Sequence, residues 1–253
     1  MSELELLRPD WPAPANVHAV VTTRAGGVSL APWDSLNLGL HVGDDPVHVQ
    51  ENRARLLAAL QCIAPADAPQ WLNQVHGTVV VEAAPDAARR RQGAPDADAV
   101  FTTCPDTPCV VMTADCLPVF FCNRQGTQVA VAHAGWRGLC DGVLEATLAK
   151  FLQPGDVLAW MGPAIGPANF EVGGEVREAF VAKHAAAAAH FVPSANAGRW
   201  LADIYGLAGL RLQGAGIGAI HGGGLCTVAD AARFYSYRRD GRTGRMASVI
   251  WLS

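Results

Sequence analysis

Charge is scarce in this chain. Only 17% of its 253 residues are Asp, Glu, Lys or Arg, and the net charge is −4. Sequence-independent binding to nucleic acid depends on clustered cations that neutralise phosphates, so this balance argues against a nucleic-acid partner. The two basic runs, Arg89-Arg90-Arg91 and Arg238-Arg239, are short, and the first is expected to decorate an exposed loop. No stretch approaches the ~20 apolar residues of a membrane helix. The densest apolar run, Val157 to Ile165, is interrupted by Gly162 and Pro163. The opening residues Met1-Ser2-Glu3-Leu4-Glu5 are acidic where a secretory leader is basic. A soluble, cytoplasmic protein with no membrane partner is expected.

A disulfide framework is also missing. There are seven cysteines, an odd number at irregular spacing, which suits a reduced chain whose thiols mostly serve as small buried hydrophobes. Several catalytic signatures are absent: HExxH of zincins, HxE…PCxxC of zinc deaminases, the GxSxG elbow and the Walker A loop. Gly214-Ala215-Gly216-Ile217-Gly218-Ala219 matches GxGxxA. A helical pattern precedes it where a dinucleotide fold needs a strand, so it reads as a turn.

Half of the chain is hydrophobic, enough for a substantial core. Asp45 to Leu60 has helical spacing, with Val49, Leu56, Leu57 and Leu60 inward. Further helices are expected over Leu139 to Phe151, Ile204 to Gln213, and from Glu175 through the alanine run Ala185 to Ala189. Short apolar runs at His18–Thr22, Thr78–Glu82, Cys109–Met112, Val119–Cys122, Gln128–Ala132, Val157–Met161 and from Ala247 read as strands. Ala84 to Asp98, rich in Ala, Asp, Arg and Pro, reads as a solvent-facing excursion. Strands and helices mix without strict βαβ alternation. That pattern predicts an α+β (mixed α/β) layered domain over residues 1–253, with mixed sheets flanked by helices.

Three metal-competent residues stand at strand-to-loop junctions. His76 precedes a glycine and a β run, Cys116 lies between two apolar strands, and His133 ends a third strand before a helix. Strand ends bring distant residues together rigidly, and one ligand from each would make a His₂Cys site with a fourth position open. As core residues the same three would need no ligand at all. Asp115 and Arg137 put charges at the edge of apolar strands, where an unpaired charge is costly. Asp115 suits a turn cap. Arg137 suits either an ion pair with Asp141 or Glu145, or an anion held at the start of the helix after Gly135.

At these residues the sequence resembles the YfiH family, also called laccase-domain or polyphenol-oxidase-like proteins. The blocks that carry the likeness span nearly the whole chain. They include Thr22-Thr23-Arg24-Ala25-Gly26-Gly27, Leu36-Asn37-Leu38-Gly39, Glu51-Asn52-Arg53, Asn73-Gln74-Val75-His76-Gly77 and Asp96-Ala97-Asp98-Ala99. Thr113-Ala114-Asp115-Cys116-Leu117-Pro118, His133-Ala134-Gly135-Trp136-Arg137-Gly138 and Phe234-Tyr235-Ser236-Tyr237-Arg238-Arg239-Asp240-Gly241 continue it.

The resemblance implies a cysteine-hydrolase-type fold and a purine nucleoside phosphorylase acting on adenosine, inosine and methylthioadenosine, with adenosine deamination as a further activity. It implies metal ligands at His76, Cys116 and His133, zinc or else copper. Substrate contacts would come from Asn37, Arg53 and Arg137, and chemistry from Cys116, His133 and Arg137. Purine nucleoside and phosphate would be the partners of a monomer or small homo-oligomer. Copper-dependent polyphenol oxidation, and hydrolysis of peptidoglycan precursors by Cys116 with His133 as base, are the alternatives. Phe170 stands where many relatives carry Tyr, which removes a hydroxyl from this chain.

Overall fold

The computed structural model describes residues 4–85 and 93–253, so Arg89-Arg90-Arg91 lies outside the described residues. The strands are β1 (Leu6–Leu7), β2 (Val17–Thr22), β3 (Val80–Glu82), β4 (Ala99–Thr102), β5 (Cys109–Thr113), β6 (Leu117–Asn123) and β7 (Val129–Ala134). They continue with β8 (Val157–Met161), β9 (Glu171–Gly173), β10 (Phe191–Pro193), β11 (Arg199–Ala202), β12 (Ala219–Gly222) and β13 (Met246–Leu252). A four-stranded sheet has the order β1-β2-β13-β5 and a six-stranded sheet the order β12-β8-β6-β7-β4-β3. The first is antiparallel throughout, whereas the second is mixed, with parallel pairs at both edges. A small third sheet is ordered β10-β11-β9.

Alternation along the strands builds the layers. In β6, Leu117, Val119 and Phe121 face the helices, while Phe120 and Cys122 face the four-stranded sheet. Strand β13 sends Ile250 and Leu252 to that same inter-sheet core, and Val249 and Trp251 to the opposite side. There α1 (Pro46–Gln61) packs through Leu56 and Leu60. Both sheets are thus covered on both faces, which explains why their strands read as unbroken apolar runs rather than as alternating ones.

Helix α1 starts where the sequence marks it, with Asp45 accepting from the Val47 N–H and Pro46 in the first turn. Leu57 is only half-buried, and Asn52 takes an inward place. Four expectations need correction. The helix expected over Leu139 to Phe151 is two short ones, α2 (Trp136–Asp141) and α3 (Val143–Leu148), broken at Gly142 with φ 106°. The helix from Glu175 does not run through the alanines. It is α4 (Gly174–Lys183), ended by extended His184 and followed by a 3₁₀ segment, Ala185–His190. That break folds Ala187 and Phe191 back under Phe180, whose ring lies 6.0 Å from Phe191.

The third correction concerns the end of the excursion, where Ala97 and Asp98 are fully buried. Helix α5 (Ile204–Gly214) leads through the left-handed Gly216 into β12, so GxGxxA is a helix-to-strand turn. Among the seven free cysteines only Cys109, Cys122 and Cys140 are buried, fewer than expected. No helix of the described residues is long and apolar enough to cross a membrane.

Candidate metal centre

Strands β6 and β7 run antiparallel with Pro118 opposite His133. Cys116, just ahead of β6, and His133, near the end of β7, therefore emerge at the same end of the sheet. His76 arrives on the loop between the Asn73–Asp96 bridge and β3. Gln74 fastens this loop to β5: its side chain donates to the Met112 carbonyl and accepts from the Met112 N–H, as a neighbouring strand would.

The three donor atoms lie within 4.8 Å of one another, and Cys116 Sγ is 3.8 Å from His76 Nε2. Donors of a tetrahedral zinc with legs of about 2.1 and 2.3 Å sit about 3.6 Å apart. Two imidazoles and a thiol at this spacing fit a zinc or copper ion with small side-chain adjustments. Among the described residues no other group of three His, Cys, Asp or Glu donors converges this way. Gly135 makes room for it, since a Cβ there would come 2.7 Å from His76 Cδ2 and 3.1 Å from Cys116 Sγ.

Asp98, which the sequence reading did not single out, organises the cluster. One carboxylate oxygen accepts from the His76 N–H (2.9 Å) and lies 2.8 Å from His133 Nδ1. The other accepts from the N–H groups of Gly77 (2.7 Å) and Val75 (3.2 Å). Three consecutive backbone donors converging on one anion form a nest, which holds His76 in its left-handed conformation, φ 60°. The bond to His133 puts the proton on Nδ1 and leaves Nε2 as the ligand atom, the usual support of a metal-bound histidine. Burial opposes ionisation of Asp98, but His133 and the N–H groups of Gly77 and His76 outweigh it and hold its carboxyl below the ordinary range.

Burial likewise would push the Cys116 thiol up, yet the neighbouring His133 and His76 bring it down to about 6. For His133, burial acts downward and is outweighed by the Cys116 sulfur and Asp98, which raise it to about 9. Without a metal, the two side chains form a thiolate–imidazolium pair.

Asp115 is buried at φ 95°, with its carboxylate accepting from Thr227 Oγ1 (2.6 Å) and the Arg238 N–H (2.7 Å). It ties α6 (Tyr237–Asp240) to the Cys116 loop. Beside Cys116 lies a cavity of about 200 Å³ bounded by Trp136, Ile165, Phe170, Ile204 and Tyr237. A depression of about 590 Å³ near Asn123 and Phe151 sits at the other end of β6 and shares none of the cluster's residues. Phe170 is part of the cavity wall.

Arg137 is exposed, with its guanidinium 5.0 Å from the Trp136 ring. Asp141 pairs with Lys183 and Glu145 with Arg211; among the described residues Arg137 joins neither. Arg53 donates twice to the Leu38 carbonyl and stacks 3.8 Å from the Trp71 ring. Asn37 is fully buried: its amide donates to Asp44 and the Gly39 carbonyl and accepts from the N–H groups of Gly39 and Arg245. It does not line the cavity beside Cys116.

The family model described as multi-copper polyphenol oxidoreductase laccase matches residues 18–253. The chain is 62% identical to a purine nucleoside phosphorylase of Pseudomonas aeruginosa, over 97% of this chain and 98% of that one. It is 55% identical to the purine nucleoside phosphorylase YfiH of Escherichia coli, over 98% and 99%. A crystal structure from Neisseria meningitidis, assigned to family DUF152, superposes with a TM-score of 0.90 at 50% identity, covering 98% of this chain and 99% of that one. This chain, with its His76–Cys116–His133 cluster, belongs to the laccase-like YfiH family.

Proposed function

We propose that the chain is a metal-dependent purine nucleoside phosphorylase acting on adenosine, inosine and methylthioadenosine, with hydrolytic deamination of adenosine as a second activity. The observation that carries this reading is the convergence of three metal donors, one of which, Cys116, lines an apolar, aromatic-walled cavity. The names borne by the similar proteins above supply the substrate class. Trp136, Phe170 and Tyr237 suit a flat heteroaromatic base.

In phosphorolysis the bond from C1′ to the purine nitrogen breaks and a phosphate oxygen bonds C1′. The departing base keeps the electron pair and takes up, directly or through solvent, the proton that hydrogen phosphate gives up on forming the ester. Zinc, with copper as the alternative, supplies a Lewis acid when bound. Cys116 and His133 fix the reacting centre, held by Asp98 from behind. Arg53 and Arg137 bring positive charge for the phosphate, and Asn37 acts through the backbone of Arg245 and Gly39.

With metal-loaded protein, steady release of purine base from inosine or adenosine is expected only when phosphate is present. Absence of turnover of every purine nucleoside would refute the reading.

The line Cys116–His133–Asp98 favours a second reading, a cysteine hydrolase acting on peptidoglycan precursors with Cys116 as nucleophile and His133 as base. Under it, metal-free protein would form an acyl-enzyme at Cys116. Copper-dependent phenol oxidation fits less well, because a multicopper site needs many more ligands than one cluster of three.

A further inference from the structure

Two partly buried arginines close to the cluster have no carboxylate partner among the described residues. Arg53 spends its guanidinium on the Leu38 carbonyl and Trp71. Arg245 donates only to the carbonyls of Thr243 and Gly244, and its guanidinium carbon lies 5.9 Å from the Tyr237 ring. Both hang on one short segment. The Arg245 backbone is bonded to Asn37 Oδ1 and to the Leu38 N–H, and Arg53 grips the Leu38 carbonyl. Exposed His41 follows on the same segment, and Gly39 lies against it: a Cβ there would meet Arg245 Cγ at 2.9 Å and His41 Cε1 at 3.4 Å.

This gathering is costly as it stands. Burial pushes Arg53 down to about 10 and also lowers Arg245, and His41 is lowered by burial and by the charges of Arg245 and Arg53. Tyr237, 5.9 Å from the Arg245 guanidinium carbon, walls the same cavity as Cys116, which places Arg245 near the metal cluster. Asp115 is already committed to Thr227 and Arg238. Partly buried cations normally have a counter-ion, and these have none among the described residues. A site that keeps them together is suited to an anion that comes and goes.

We infer that His41, Arg53 and Arg245 form an oxyanion subsite next to Cys116, and that its ligand is inorganic phosphate. The choice of phosphate rests on the phosphorolysis reading, whereas the subsite itself rests on the unpaired cations. Arg245 and His41 thereby join Arg53 as substrate-binding residues. A planar guanidinium offers two parallel N–H donors to a tetrahedral oxyanion, and the metal cluster would face the same phosphate from the Cys116 side.

The test uses the metal-loaded enzyme with inosine, comparing wild type, Arg245→Met and His41→Gln. Arg245→Met is expected to raise the phosphate KM about 10- to 100-fold, the loss typical of one charge-assisted contact, with the inosine KM within about twofold of wild type. His41→Gln, at an exposed position that does not threaten folding, is expected to raise it severalfold. An unchanged phosphate KM in both variants, or equal increases for phosphate and inosine, would overturn the subsite while leaving phosphorolysis standing.

Calorimetric titration of phosphate separates the two proposals. Wild type that binds phosphate through Arg245 and His41 but turns over no nucleoside would keep the subsite and refute the phosphorylase. Titration with adenosine 5′-monophosphate distinguishes free phosphate from a nucleotide's phosphate. Binding of the nucleotide through these residues, with none of inorganic phosphate, would overturn the ligand assignment.

Discussion

Asp98→Ala is expected to lower the melting temperature by about 10 °C and to weaken metal binding at least 10- to 100-fold. The carboxylate is fully buried and serves four donors at once: three backbone N–H groups and His133 Nδ1. Alanine leaves all of them unsatisfied, and breaking a buried charged pair from one side typically costs about 3–5 kcal/mol. The His76 loop keeps its Gln74–Met112 bonds but loses the acceptor of its three consecutive N–H groups, so that ligand is held less firmly while His133 loses its tautomer. Asp98→Asn keeps the shape but turns an N–H₂ group toward other donors, so it should fall between wild type and alanine. The pH dependence has a definite sign. A carboxyl lowered in the folded state contributes stability above the ordinary carboxylate range, and that contribution is lost as pH falls through its folded value. The gap between wild type and Asp98→Ala should therefore narrow on acidification, as read by thermal melts from neutral to acid pH.

Cys116→Ala is expected to lower kcat/KM for nucleoside phosphorolysis by at least about 10³-fold, because it removes a member of a unit that acts together. Its thiol is also the group with the most legible chemistry. In metal-stripped protein the rate of Cys116 alkylation should reach half its maximum near pH 6, far below an ordinary thiol. Bound metal should protect it, as a ligand thiolate is shielded from the reagent. Cys116→Ala itself serves as the blank for the six remaining thiols. The paired groups oppose each other in stability: the contribution of the lowered thiol grows as pH rises through about 6, and that of the raised imidazole is lost as pH rises through about 9. Between those values the two slopes cancel. Stability from this pair is therefore nearly independent of pH, because outside the window each group carries the same proton in the folded and unfolded chain.

The residues of the cluster were legible because Cys116 and His133 sit at strand ends and because the family blocks include all three. His76 lies inside a loop, with β3 starting only at Val80, so spacing alone would not have found it. Asp98 was not legible, although Asp96-Ala97-Asp98 stood beside a strand. A composition of Ala, Asp, Arg and Pro reads as solvent-facing, and only the fold shows that the excursion ends inside the core, with Asp98 under His76 and His133. Arg245 escaped for a related reason. An arginine just before a C-terminal strand looks like a surface residue until Asn37 and Leu38, some 200 positions earlier, are seen to hold its backbone.

The layering followed from apolar runs that proved to be strands covered on both faces, while helix lengths were less secure. One helix was expected from Leu139 to Phe151, running through Gly142, where a left-handed glycine in fact divides it in two. His184 gave no signal of a break, because the interruption there is imposed by the packing of Ala187 and Phe191 against Phe180.

The proposed chemistry requires His76, Cys116 and His133 to act as one metal site. Zinc and copper content, measured on purified wild type and on His76→Ala, tests that most directly. The expected result is about one zinc per chain in wild type and its loss in the variant, with the fold retained. Stoichiometric metal surviving in His76→Ala would contradict the ligand assignment, and a metal-free, active wild type would contradict the metal site altogether.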